Sequence, residues 1–161
     1  MTTLAETKRD DDRERIEALE GAMLEHAREH GTVECPLDHF FADGVYVRQM
    51  TAPGDTLIVG HEHRFNHVCV LLKGRITLAT PDGVTVLAAP LTWVAKPGRK
   101  VFYTHEETVL QNIFANAGDE RDIEKLEDAL VIKSETWHAH KENAALVERV
   151  RHHHLSGRSE P

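Results

Sequence analysis

The chain has 161 residues, 40% of them apolar and 29% charged, with a formal net charge of −8. That composition suits one globular domain, large enough to bury a core without bridges or a structural metal. The acidic balance and the absence of any run of Lys and Arg argue against a nucleic-acid surface, and no apolar stretch reaches the roughly 18 residues of a membrane helix. No leader pattern opens the chain. Its two cysteines, Cys35 and Cys69, offer no framework of bridges, so a reducing cytoplasm is the expected setting.

Residues 7–30 carry Ile16, Leu19, Met23 and Ala27 at three- and four-residue spacing, which predicts an amphipathic helix ending near Gly31. Asp10, Asp11 and Asp12 favour its start through the helix dipole. His26 and His30 stand at i and i+4, a spacing able to bind zinc, but a solvated face is the simpler reading. From Gly44 the period switches to two. Strands are expected at 45–48, 56–59, 63–72, 75–79, 84–88, 92–94, 101–104 and 108–115, with turns at 51–55, at Lys73-Gly74 and at Pro81-Asp82-Gly83. About eight short strands with regular turns predict an antiparallel sandwich or barrel. A second helix is expected over 119–130, capped by Asp119, with Ile123, Leu126 and Leu130 in register. A third is expected over 141–151, followed by a frayed tail from Ser156. The organisation is a helical arm at 1–43, a β-barrel at 44–118 and a helical extension at 119–161.

Histidines carry the chemistry. His61, His63 and His67 are spaced so that, in a strand, all three point to one side. Buried imidazoles on an apolar face are costly unless something binds them, and a divalent metal is the commonest such partner. His105, after the strand at 101–104, is the expected fourth ligand. Cys69 shares the inward parity and reads as a small buried hydrophobe rather than a ligand. His138 and His140 near Trp137, and the tail trio His152, His153 and His154, fall outside the barrel and read as solvated. Tyr46 and Arg48 share a strand face, and Arg48 has the planar fork for a substrate carboxylate, although a surface salt bridge is the blander reading. Tyr103 and Gln111 are candidate polar lining groups. Glu106 and Glu107 are candidates for a base or carboxylate ligand, set against solvent exposure in an apparent turn. No catalytic triad spacing or glycine-rich phosphate loop is present.

Gly60-His61-Glu62-His63, then His67, then Gly74 resembles the first motif of the cupin superfamily, and Pro97-Gly98 followed by His105 resembles a degenerate second motif. The resemblance covers about residues 44–115 and implies a cupin-type jelly-roll barrel with bound metal. A narrower likeness, to small uncharacterised cupin-like proteins of phages and prophages, rests on 44–48, 60–74 and 103–109 and extends through the acidic helix to about residue 132. Two departures stand out. His67 occupies the place of the motif's glutamate, and His105 follows its proline-glycine turn later than the family pattern. Within the phage-like subgroup the minimal ligand set is His63, His67 and His105.

Two function classes follow. One is a metal-dependent enzyme, an oxygenase of the mononuclear Fe(II) type, an isomerase or a lyase, acting on a small polar or anionic molecule; Fe, Mn, Ni, Zn and Cu all suit imidazole. The other is a non-catalytic accessory, virion or small-molecule-binding protein. A homodimer is expected, with other phage proteins as further partners and neither nucleic acid nor membrane. Val68, Val70 and Leu72 form an apolar outward face on the long strand, and the N-terminal helix is its expected cover.

Overall fold

The computed structural model describes residues 4–80 and 82–156. The expected frayed tail lies outside them except for Ser156, which ends a helix. The elements are α1 (Leu4–His30), β1 (Leu37–Ala42), β2 (Val45–Ala52), β3 (Thr56–Val59), β4 (Glu62–His63), β5 (His67–Lys73), β6 (Arg75–Thr80), β7 (Gly83–Ala88), β8 (Leu91–Ala95), β9 (Val101–Thr104), β10 (Thr108–Ala115), α2 (Ile123–Leu130), β11 (Val131–Ile132) and α3 (Glu135–Ser156). The protein is mainly β, a jelly roll with one helix before it and helices after it.

Two antiparallel sheets face each other, in the orders β1-β2-β10-β5-β8 and β3-β9-β6-β7. Their edges remain open, so the expected closed barrel is a sandwich of two sheets. Alternation decides which side chains go inside. Leu71 and Leu110 of the larger sheet meet Ile76, Leu78 and Phe102 of the smaller one in a single apolar core. Leu71 and Ile76 are fully buried, and burial of such a side chain contributes roughly 1.5–3 kcal/mol.

The sheet begins earlier than expected. β1 pairs with β2 from Leu37↔Met50 to Ala42↔Val45 across the two-residue turn Asp43-Gly44. Gly44 has φ +72°, a left-handed conformation that glycine adopts without steric cost. The long strand expected over 63–72 is interrupted: Arg64, Phe65 and Asn66 form a bend between β4 and β5. β4 then pairs with β11 rather than continuing the large sheet.

The helices also differ from expectation. α2 is capped by Asp122, whose carboxylate accepts from the backbone N–H groups of Glu124 and Lys125. Asp119 instead sits at φ +47° and accepts from the Gly44 N–H at 2.7 Å, tying the β1–β2 turn to the α2 approach. α3 starts at Glu135, six residues before the expected boundary at 141, which brings Trp137 onto the jelly roll. α1 leaves the outer face of β5 uncovered. Glu20, Met23 and Leu24 place it over the open end of the sandwich instead, where they line a cavity.

Candidate functional site

The inner face of the larger sheet is built in layers fixed by register. Leu37, Met50, Leu110, Leu71 and Leu91 form an apolar row. Two residues along each strand, His39, Arg48, Asn112, Cys69 and Trp93 form a polar row. Two further along, the rings of Tyr46, Phe114 and His67 stack, with centroids 5.8 and 5.0 Å apart for successive pairs. Between this face and the smaller sheet lies a cavity of about 330 Å³, closed over by α1 and Trp137. Its walls are mostly apolar, and Arg48, His61, His63, His67, Lys100 and Asn112 are among its polar lining groups.

His61, His63 and His67 converge on this one space although they do not share a strand. Backbone bonds hold their segment in place. His63 N–H donates to Gly98 O at 3.0 Å, His63 O accepts from Gly98 N–H at 2.9 Å, and Gly60 N–H donates to Lys100 O at 3.0 Å. The Pro97-Gly98 turn thus meets the histidine segment, as a backbone partner rather than as the lead-in to a ligand. His67 donates Nδ1–H to Phe65 O at 3.2 Å, which leaves its Nε2 unprotonated. The Nδ1 atoms of His61 and His63 are buried without a hydrogen-bond partner.

Burial depresses the basicity of all three rings. For His63, burial and then the neighbouring His67 and Lys100 bring the pKa down to about 3. For His61, burial acts first and the Arg48 charge second. For His67, burial outweighs the opposing hydrogen bond to Phe65. All three are therefore neutral at physiological pH. Burial also lowers the basicity of Lys100 and raises the Cys69 thiol to about 11, so Cys69 is an un-ionised hydrophobe that donates to Asn112 Oδ1 at 3.1 Å.

The remaining expected site residues lie elsewhere. His105 is a correction. Phe102 and Thr104 take the inward positions of β9, so Tyr103 and His105 project from the opposite side. There His105 Nε2 meets Thr77 Oγ1 at 2.7 Å, and its ring lies edge-on to Tyr103 at 5.2 Å. Tyr103 donates to Asp55 Oδ1 at 2.7 Å, Gln111 donates to Gln49 at 2.8 Å, Glu106 is exposed and Glu107 pairs with Lys73 at 2.6 Å, all outside the cavity. Only Arg48 of that group lines it. Sequence reasoning passed over Lys100, Asn112 and the two tryptophans. Lys100 shares the even parity of Phe102 and Thr104, and Asn112 that of Leu110 and Phe114, so strand alternation carried the signal for both.

The donor set does not fit a bound dication. A metal lies in the plane of each imidazole it binds, about 2.0–2.1 Å from the nitrogen. The His63 and His67 rings stack at 4.2 Å with 25° between their planes, which confines their lone pairs to two nearly parallel planes instead of planes that meet at one ion. Among the described residues no three His, Cys, Asp or Glu side chains are grouped to hold an ion. The nearby charges oppose one as well. Arg48 has neither an ion-pair nor a hydrogen-bond partner among the described residues, and Lys100 Nζ donates only to the carbonyls of Lys96 at 2.6 Å and Gly98 at 3.3 Å. The one acidic lining residue, Glu20, is taken up by Arg99 at 2.6 Å and by Ser134 at 2.6 Å.

No protein-family model and no curated protein matches the chain. Solved structures do resemble it. A cupin-2 domain protein from Shewanella frigidimarina is 13% identical with a TM-score of 0.41, the match covering 52% of this chain and 80% of that one. A cupin superfamily protein from Desulfitobacterium hafniense is 9% identical with a TM-score of 0.45, over 51% and 77%. A protein with a double-stranded β-helix domain from Klebsiella pneumoniae is 17% identical with a TM-score of 0.45, over 54% and 81%. The expected phage likeness finds no support among them.

Proposed function

We propose that this protein is a small-molecule-binding jelly roll, with its ligand held between the two sheets under α1. The observation that carries this reading is the cavity itself: about 330 Å³, walled by Ile76, Leu78, Trp93 and Phe102, with a few polar groups gathered at one level. Apolar walls with a small number of oriented polar groups are the usual make-up of a ligand pocket. Both tryptophans of the chain, Trp93 and Trp137, line it, so intrinsic fluorescence reports occupancy directly. Titration with a panel of medium-chain and bicyclic aromatic acids, alcohols and amines is expected to give a saturable change in emission and a rise in melting temperature. A panel without any saturable response would overturn the reading.

The metal-dependent oxygenase, isomerase or lyase is the competing reading. It is favoured by the two unpartnered Nδ1 atoms of His61 and His63 and opposed by the stacked rings and the nearby cations. Metal analysis of untagged protein, followed by titration with Zn(II) and anaerobic Fe(II), separates the two. One equivalent retained by the wild type and lost in His63→Ala/His67→Ala would establish the metal. A phage accessory or virion role, implied only by the sequence resemblance, forms no part of this proposal.

A further inference from the structure

We infer that the cavity ligand is an amphipathic anion, a carboxylate with a compact apolar body, and that Arg48 and Lys100 neutralise it in the absence of any metal. The inference rests on the small-molecule reading above and names the chemical class that reading leaves open.

Charge is the first argument. Arg48 and Lys100 face a space whose other titratable lining groups are three neutral histidines, the un-ionised Cys69 and a Glu20 already matched by Arg99. Glu127, whose field also reaches His61, is held by Lys133 at 3.1 Å. Two positive charges thus face an apolar cavity without a carboxylate to balance them. Both side chains are half-buried; a partly desolvated cation without a counter-charge is costly, and a ligand anion removes that cost, whereas a dication would add to it.

Hydrogen-bond direction is the second argument. Arg48 presents a planar fork suited to two carboxylate oxygens. Lys100 has given two of its three N–H bonds to backbone carbonyls and keeps one. The Cys69 thiol occupies Asn112 Oδ1, leaving the amide NH2 as a donor. Against these donors stands the unprotonated Nε2 of His67. Free donors therefore outnumber free acceptors around the polar level, which is the signature of a site for oxygen anions. Opposite them, Ile76, Leu78 and Phe102 of the smaller sheet accept only an apolar body, and the Trp93 ring extends that wall beside Cys69.

The test compares octanoate, octanol and octylamine on chelator-treated full-length protein by calorimetry and tryptophan emission. Octanoate is expected to bind at least about tenfold more tightly than octanol, octylamine not at all, and chelator to make no difference. Arg48→Met and Lys100→Met are each expected to weaken octanoate by about tenfold while leaving octanol unchanged, and Arg48→Lys to recover part of the loss. Octanol binding as tightly as octanoate would overturn this inference and leave the small-molecule reading standing. Octanoate binding only after Zn(II) or Fe(II) is added would overturn it in favour of the metal centre. No binding of any of the three, together with a silent panel, would remove both this inference and the reading beneath it.

Discussion

Glu20 of α1 and Arg99 of the β8–β9 loop meet at 2.6 Å, each side chain only 8% exposed. Arg99 also donates from Nε to Gly60 O at 2.8 Å, next to His61, and Ser134 Oγ donates to Glu20 at 2.6 Å. One buried pair thereby fastens α1, the histidine segment and the approach to α3 at the mouth of the cavity. Removing one member leaves the other charge buried alone, at a cost of about 3–5 kcal/mol, whereas replacing both by apolar residues is often close to neutral. Arg99→Met is expected to lose that amount in urea unfolding, and Glu20→Leu/Arg99→Met to recover most of it. Additive losses in the double variant would show that the two side chains act independently.

Acid should weaken the fold through the buried histidines. His63 titrates near 3 in the native state against about 6.5 in the unfolded chain, so between those values the unfolded state binds the extra proton. Its contribution is fully present above pH 6.5 and is lost as the pH falls toward 3. His61 and His67, also shifted down, act in the same direction. Unfolding free energy is expected to fall below pH 6.5 by up to about 1.4 kcal/mol per pH unit for each histidine. His63→Phe should flatten the slope, as read from urea midpoints at several pH values. An unchanged slope would mean that other groups set the acid limit.

Strand alternation made most of the jelly roll legible in the sequence, and where it was followed strictly it also located the site. Counting by twos from Phe102 puts Lys100 inside and His105 outside, so the expectation for His105 rested on its place at the end of the strand and not on its parity. His61, His63 and His67 all line the cavity, but one strand's parity does not bring them there. The bend at 64–66 breaks the strand, and the backbone contacts to Gly98 and Lys100 restore the convergence. β1 escaped notice because its exposed Asp38 and Phe40 obscure the alternation, although Asp43-Gly44 was available as a hairpin signal. The seat of α1 could not be read locally. Its stripe of Ile16, Leu19 and Met23 runs beside Glu20, and the partner of that charge lies 79 positions away, at Arg99.

Gly74 tests the turn that joins the two sheets between β5 and β6. Its φ is +94°, and a Cβ there would lie 2.6 Å from Thr108 Oγ1 and 2.7 Å from Glu107 O. The backbone carbonyl cannot yield as a flexible side chain can. Gly74→Ala is therefore expected to cost about 2 kcal/mol or more, from strain and clash together. Gly83 also has positive φ, at +136°, but a Cβ would meet nothing within 4 Å, so Gly83→Ala should cost only about 1 kcal/mol. Equal losses in thermal unfolding would mean that conformational strain alone matters at both sites.

The outer face of the larger sheet leads to a prediction about assembly. Register aligns Phe40, Val47, Ile113, Val68 and Val94 in one apolar row across all five strands. Phe40 is 50% exposed and Val94 65%, and α1 is engaged at the cavity mouth instead of over this row. Contiguous exposed apolar surface of this kind commonly marks an interface, and a two-fold axis lets one row cover its own copy. Light scattering of the full-length chain is expected to give twice the mass of one chain at micromolar concentration. Phe40→Glu/Val94→Glu, which places like charges at both ends of the row, should give a folded monomer with the same tryptophan response to cavity ligands. A monomer in the unmodified chain would remove the pairing, and a dimer that survives the double substitution would move it to another face.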